Sequence, residues 1–105
     1  MINLTESRIW NPTSNEIFNT YNKITSTQKI QIWIRVADEN TPYNGNYKRI
    51  RIEIPEGLDI TRNFKEHPSG LYDTEYIIFK EKITDETILQ TKINDITCIQ
   101  IIDEK

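Results

Sequence analysis

Two segments in the first half of the chain alternate strictly between apolar and polar residues. Every second residue there is isoleucine or valine: Ile30, Ile32, Ile34 and Val36 in the first segment, and Ile50, Ile52 and Ile54 in the second. A period of two is the side-chain repeat of a β-strand, because successive side chains point to opposite faces of a sheet. The pattern predicts two strands, over 29–37 and 47–54, each with one buried face.

The residues between these strands predict a hairpin connection. The stretch DENTPYNGN, residues 38–46, contains Pro42 and the dipeptide Asn44-Gly45, which favour tight turns. Pairing Ala37 with Tyr47 then gives every inward isoleucine an inward partner: Ile34 with Ile50, Ile32 with Ile52, and Ile30 with Ile54. We adopt this register as a hypothesis. A shift of two residues would also keep the isoleucines inward, but it would regroup the pairs on the other face.

The same register decides which side chains meet on the other face of the hairpin. Trp33 lies opposite Arg51, and Arg35 lies opposite Arg49. Stacking of a guanidinium on an indole stabilises by about 0.5–1 kcal/mol at an exposed site. Two arginines directly opposed on a sheet repel each other, unless an acidic neighbour or a bound anion intervenes.

This face is the candidate binding surface of the chain. Its predicted partner-binding residues combine aromatic rings with guanidinium groups: Trp33, Arg35, Tyr47, Arg49 and Arg51. Aromatic rings supply stacking and anchor area, and arginine engages carboxylates or phosphates with two hydrogen bonds at once. The alternative is structural: a helix or the 58–71 segment covers Trp33, and glutamates neutralise the arginines across the sheet.

The N-terminal quarter predicts one short helix. Thr13 or Ser14 is placed to cap it, and Glu16 is placed to complete a capping box from Thr13. Apolar residues recur at helical spacing after the cap: Ile17, Phe18, Tyr21 and Ile24. The helix is predicted over about 14–23. The segment before it, 2–10, reads as an edge strand or an extended arm.

The C-terminal half predicts further strands. Residues 58–71 read as irregular, and 72–83 as a central strand that is apolar on both faces. Residues 87–93 and 96–102 read as a closing hairpin on a tight turn at 94–95, with a helix over 85–93 as the rival interpretation. The predicted fold is α+β, mainly β: a five-stranded, mostly antiparallel sheet or a small curled barrel with one N-terminal helix.

Composition agrees with a β-rich single domain spanning residues 1–105. The chain has 20 isoleucines and 12 threonines but one alanine, and β-branched residues favour strands over helices. No signal peptide or long apolar run is visible, which predicts a soluble, cytoplasmic protein without membrane contact. The abundance of Ile, Asn and Lys is typical of AT-rich coding sources such as phages and mobile elements.

The residues that could carry catalysis or metal binding are few. His67 is the one histidine and lies in a predicted turn, and Cys98 is the one cysteine and lies among isoleucines, where burial would make its thiol inert. A soft-metal site needs several such ligands, and a catalytic triad needs a base with an orienting group. We therefore predict no enzymatic activity, no metal and no cofactor.

What remains is binding. A small chain without catalytic motifs fits an interaction protein of the inhibitor or immunity type, which occludes a partner. The net charge of −3 and the pI near 5.1 favour an acidic protein surface over nucleic acid as that partner. The alternatives are a β-barrel that binds single-stranded nucleic acid and a structural subunit of a larger assembly. The sequence does not set an oligomeric state.

Overall fold

The computed structural model describes residues 8–37, 47–66, 68–70 and 73–103. Across these residues one α-helix and seven β-strands follow in order: β1 (Ile9–Trp10), α1 (Ser14–Asn22), β2 (Gln28–Ala37), β3 (Tyr47–Pro55), β4 (Asp59–Glu66), β5 (Asp73–Lys80), β6 (Thr87–Lys92) and β7 (Ile96–Asp103). The strands form two antiparallel sheets: a four-stranded sheet in the order β1-β7-β2-β3 and a three-stranded sheet in the order β4-β5-β6.

The predicted fold class is therefore confirmed in part. Over the described residues the protein is mainly β with one short helix near the N-terminus, as predicted. The prediction of a five-stranded sheet or curled barrel is wrong, because the strands divide between two separate sheets and neither sheet closes on itself. The predicted turn at 38–46, residues 2–7 of the predicted arm, and His67 all lie outside the described residues.

Helix α1 begins where the capping residues predict. The Thr13 hydroxyl accepts a hydrogen bond from the Glu16 backbone N–H at 3.2 Å, and the Thr13 N–H donates to the Glu16 carboxylate at 3.0 Å. These two bonds satisfy backbone donors that an uncapped helix leaves unpaired. The buried side chains Ile17 and Tyr21 lie one turn apart and turn the same face of the helix towards the core.

The hairpin of β2 and β3 has the predicted register along its whole length. Ala37 pairs with Tyr47 and Ile30 pairs with Ile54, without a bulge between them. The apolar face of this hairpin points towards the three-stranded sheet, because its isoleucines share one core cluster with Ile77 and Phe79 of β5. Each buried isoleucine contributes about 2 kcal/mol through the hydrophobic effect.

The predictions for the C-terminal half are wrong in three respects. Strands β6 and β7 do not pair with each other: β6 pairs with β5, whereas β7 crosses to the other sheet and lies between β1 and β2. A short 3-10 turn, Ile93–Asp95, makes the crossing. The rival helix over 85–93 is also wrong, since β6 occupies most of that range, and the segment predicted as irregular contains strand β4.

Strand β5 is the central strand of its sheet, as predicted, and is buried on both faces in its middle. Phe79 packs edge-on against the Tyr21 ring of α1, with ring centroids 5.1 Å apart. The Tyr21 hydroxyl donates to the Pro55 carbonyl at 2.6 Å and accepts from the Leu58 N–H at 2.9 Å. Helix α1 is thus hydrogen-bonded to the last residue of β3 and to the residue that precedes β4, the first strand of the three-stranded sheet.

Candidate functional site

All five residues of the candidate binding surface lie on the outer face of the four-stranded sheet, which points away from the core. The shared face follows from the register, in which Trp33 pairs with Arg51, and Arg35 pairs with Arg49. Tyr47 lies two residues before Arg49 on β3 and therefore points the same way. The structure brings the five side chains together, and their role in binding stays a prediction.

The Trp33 ring is half-buried, and it is stacked with an arginine other than the one predicted. The guanidinium carbon of Arg8 lies 4.8 Å from the centroid of the Trp33 ring and 5.9 Å from that of Trp10. Arg51 is the strand neighbour of Trp33, but no cation–π contact joins them. The predicted stabilisation of about 0.5–1 kcal/mol therefore belongs to the contact between Arg8 and Trp33.

Trp10 is a surface residue that sequence reasoning missed. It pairs with Cys98 of β7, and Cys98 pairs with Trp33 of β2, which in turn pairs with Arg51. These four residues form one row across the four strands, and Trp10 is 56% exposed at its end. Arg8 and Trp10 are two residues apart, which is the spacing of one strand face, but nothing in the sequence places β7 between them and β2.

Arg35 is held by the 3-10 turn that precedes β7. Its guanidinium lies 3.7 Å from the Asp95 carboxylate, donates to the Asn94 carbonyl at 3.4 Å, and stacks over the Tyr47 ring at 4.8 Å. Asp95 is thus the acidic neighbour that relieves the repulsion between Arg35 and the directly opposed Arg49. Arg35 positions Tyr47, and its charge is largely satisfied within the chain.

Arg49 and Arg51 are exposed, and they form no ion pair or hydrogen bond within the described residues. Glu53, two residues beyond Arg51 on the same face, forms its ion pair with Lys29 at 2.8 Å, and the charge of Arg51 is a smaller influence that also lowers the Glu53 pKa. The hydrogen bond from Lys29 is the main reason that the pKa of Glu53 lies below its ordinary value. The hydrogen-bond donors of the two guanidinium groups are therefore unused within the described residues.

Cys98 lies in the same row but is buried, with 1% of its surface exposed. Burial raises the pKa of its thiol, against a smaller opposing influence from Arg8 and Arg49. A thiol that stays protonated is a weak nucleophile. The predicted burial of Cys98 is confirmed.

A second feature lies on the opposite side of the hairpin, between the two sheets. A cleft of about 370 Å³ opens there, and its apolar lining comes from both sheets: Ile34, Val36, Ile50, Ile52, Tyr76 and Leu89. Ile50 is 39% exposed, which corrects the prediction that every inward isoleucine of the hairpin is covered. The alternation set the direction of this side chain, but it carried no information about what lies across from it.

Across the part of the chain that the structure describes, no three His, Cys, Asp or Glu side chains converge on a metal-binding cluster. In the same ranges no helix is long and apolar enough to cross a membrane. No known protein family, curated protein or solved structure matches this chain.

Proposed function

We propose that this protein is a non-enzymatic interaction protein that binds an acidic surface of a partner protein and acts by occluding it. The observation that carries the proposal is the pair Arg49 and Arg51, exposed on the outer face without an ion pair among the described residues. Side chains on alternate residues of a strand lie about 7 Å apart. Two guanidinium groups at that spacing can each engage a separate carboxylate.

The aromatic residues beside this pair supply the apolar part of an interface. Trp10 and Tyr47 are 56% and 59% exposed, and Arg8 and Arg35 hold the neighbouring rings by stacking. Tryptophan, tyrosine and arginine are the residue types that most often dominate the free energy of protein–protein binding. Rings that are already held lose little conformational freedom on binding, which favours affinity.

The charge balance favours a protein over nucleic acid. The chain carries a net charge of −3, so a polyanion would be repelled over most of its surface. A discrete acidic patch can instead engage two arginines while the rest of the partner stays distant. Single-stranded nucleic acid is the second candidate function, and the exposed rings of Trp10 and Tyr47 favour it because bases stack on such rings.

The test compares three proteins for retention of partners from a lysate of the source cells. They are the wild type, the double variant Arg49→Glu/Arg51→Glu, and the control Lys23→Glu/Lys82→Glu, which makes the same change in net charge at exposed residues away from this face. We expect the wild type and the control to retain the same protein, and the arginine variant to lose it. Retention by all three proteins would place the binding surface elsewhere and refute the proposal.

Titration of the wild type with single-stranded oligothymidylate at low salt separates the two candidates. Nucleic-acid binding weakens linearly with the logarithm of salt concentration, with a slope set by the number of phosphates contacted. We expect no binding. A steep salt dependence that the arginine variant abolishes would replace the protein partner with nucleic acid.

A further inference from the structure

Strand β3 is the edge of the four-stranded sheet on the side of the two arginines. Within the described residues it pairs only with β2, so the backbone N–H and C=O groups on its other side lie outside the sheet ladder. The strand is nine residues long and regular, with its one proline, Pro55, at the last position. A long edge without a bulge or an internal proline is a template for pairing with another strand.

Each face of β3 presents groups that a neighbouring strand would satisfy. On the inner face, Ile50 is 39% exposed and Ile52 is half-buried, and both border the apolar cleft between the sheets. On the outer face, Arg49 and Arg51 lack ion-pair partners within the described residues. Side chains on adjacent strands contact each other when they lie directly opposite. Along β3, incompletely buried isoleucines thus alternate with arginines that have no ion-pair partner among the described residues.

We propose that an extended segment of the partner pairs with β3 as an added strand, and that this segment alternates apolar and acidic residues. Its apolar side chains enter the cleft beside Ile50 and Ile52, and its carboxylates face Arg49 and Arg51. The inference rests on the proposed function, because it names the part of the acidic partner that the arginines recognise. Backbone pairing supplies affinity in this arrangement, and the alternating side chains supply specificity.

The other sheet edges of the described chain fit an added strand less well. Arg62 of β4 is already directed to Glu75 at 3.6 Å, and β6 is short, with an irregularity in its pairing to β5 near Lys80. A second copy of this chain satisfies the edge less fully. Two antiparallel β3 strands centred on Ile52 set Arg51 opposite Glu53, which Lys29 already engages at 2.8 Å, and leave Arg49 opposite Pro55. Centred on Ile50, they set Arg49 opposite Arg51 twice. Like charges directly opposed on a sheet destabilise the pairing.

The probe is a synthetic peptide of alternating valine and glutamate, as long as β3, added to the full chain labelled with ¹⁵N. Two matched peptides serve as controls: one carries lysine in place of each glutamate, and one carries proline at two central positions, which removes the N–H donors that a ladder needs. We expect the glutamate peptide to shift the β3 amide resonances and slow their exchange with solvent. We expect the lysine peptide to bind at least about tenfold more weakly than the glutamate peptide.

The variants separate failure of this inference from failure of the proposed function. One outcome would overturn strand addition but keep the arginine surface. In that outcome Arg49→Glu/Arg51→Glu abolishes binding of the glutamate peptide, and the proline peptide binds wild type equally well without protecting the β3 amides. Absence of any binding to wild type would overturn strand addition as stated, and the lysate comparison would then decide the proposed function alone. A wild-type dimer in sedimentation, disrupted by Ile50→Lys, would assign the edge to a second copy and refute the proposal.

Discussion

The two ends of the hairpin formed by β2 and β3 have the same sequence pattern and different surroundings. At the end far from residues 38–46, Ile30 and Ile54 pair with each other and are 0% and 1% exposed. At the end next to residues 38–46, Ile34 pairs with Ile50, yet Ile50 is 39% exposed. We call the first the closed end and the second the open end.

The difference comes from helix α1. Tyr21 reaches from the helix to both β3 and β5, through its hydroxyl at Pro55 and its ring at Phe79, and this closes one end of the space between the sheets. At the open end, the described residues do not fill the space between β3 and β6, and this space is the apolar cleft. Alternation therefore specifies which face of a strand is apolar, whereas a third element decides whether that face is covered.

Truncating an isoleucine at each end should give the largest contrast. We expect Ile54→Ala to lower the free energy of unfolding by about 2–5 kcal/mol, because it leaves a cavity in a packed core. Ile50→Ala removes the same atoms from the open end and should lower it by about 1 kcal/mol or less. Urea denaturation followed by circular dichroism measures both values. Equal losses would mean that the two ends are equally covered.

The next largest effect concerns the hydroxyl that fastens α1 to the closed end. Tyr21→Phe leaves the Pro55 carbonyl and the Leu58 N–H without their common partner, which should lower the free energy of unfolding by about 1–3 kcal/mol. Tyr47→Phe makes the same chemical change on an exposed ring and should cost almost nothing. Thermal unfolding of both variants provides the comparison, and an unchanged Tyr21→Phe protein would show that the Tyr21 hydroxyl does not help to hold α1.

The helix cap should have a smaller effect. Thr13→Ala removes the side-chain oxygen that accepts from the Glu16 N–H, and we expect a loss of about 1 kcal/mol. The exposed Asn15, in the first turn of the same helix, is the control site, and Asn15→Ala should be neutral or slightly stabilising. Because α1 closes one end of the core, exposure of the Ile54 amide to hydrogen exchange should rise in the Thr13 variant and not in the control.

The smallest expected effect is the pH dependence of the ion pair between Lys29 and Glu53 on the outer face. The pKa of Glu53 is lowered in the folded protein, so its contribution is present above the ordinary value of 4.5 and is lost as the pH falls through the lower folded pKa. The pair is partly exposed, which limits its contribution to about 0.2–1 kcal/mol. An NMR titration should show the Glu53 pKa rising in Lys29→Met, and an unchanged value would refute this assignment.

Strong local patterns in this sequence predicted structure well. The register of β2 and β3 follows from two uninterrupted runs of alternating isoleucines, and the start of α1 follows from Thr13 and Glu16. Both depend on residues close together in sequence or joined by one short connection. Their geometry needs no knowledge of the rest of the chain.

Long-range pairing could not be predicted in the same way. The inner face of β4 carries Arg62 between Ile60 and Phe64, and Arg62 interrupts the apolar repeat that would have predicted a strand. The structure accommodates Arg62 there because Glu75 of the neighbouring strand β5 pairs with it. The crossing of β7 to the other sheet depends on the 3-10 turn at Ile93–Asp95, whose Asn94-Asp95 dipeptide equally suits a hairpin. The residues of the candidate surface that lie on the hairpin were predicted to share a face. Arg8 and Trp10 were missed, because they reach that surface only through the pairing of β1 with β7 and of β7 with β2.

The most direct test of the account measures how accessible each isoleucine methyl group is to a soluble paramagnetic probe. In wild-type protein with labelled isoleucine δ-methyl groups, we predict strong broadening of the Ile50 signal and little or none of the Ile30 and Ile54 signals. Addition of the glutamate peptide should then protect Ile50. Equal protection of Ile50 and Ile54 without the peptide would contradict the account, because the open end would already be covered.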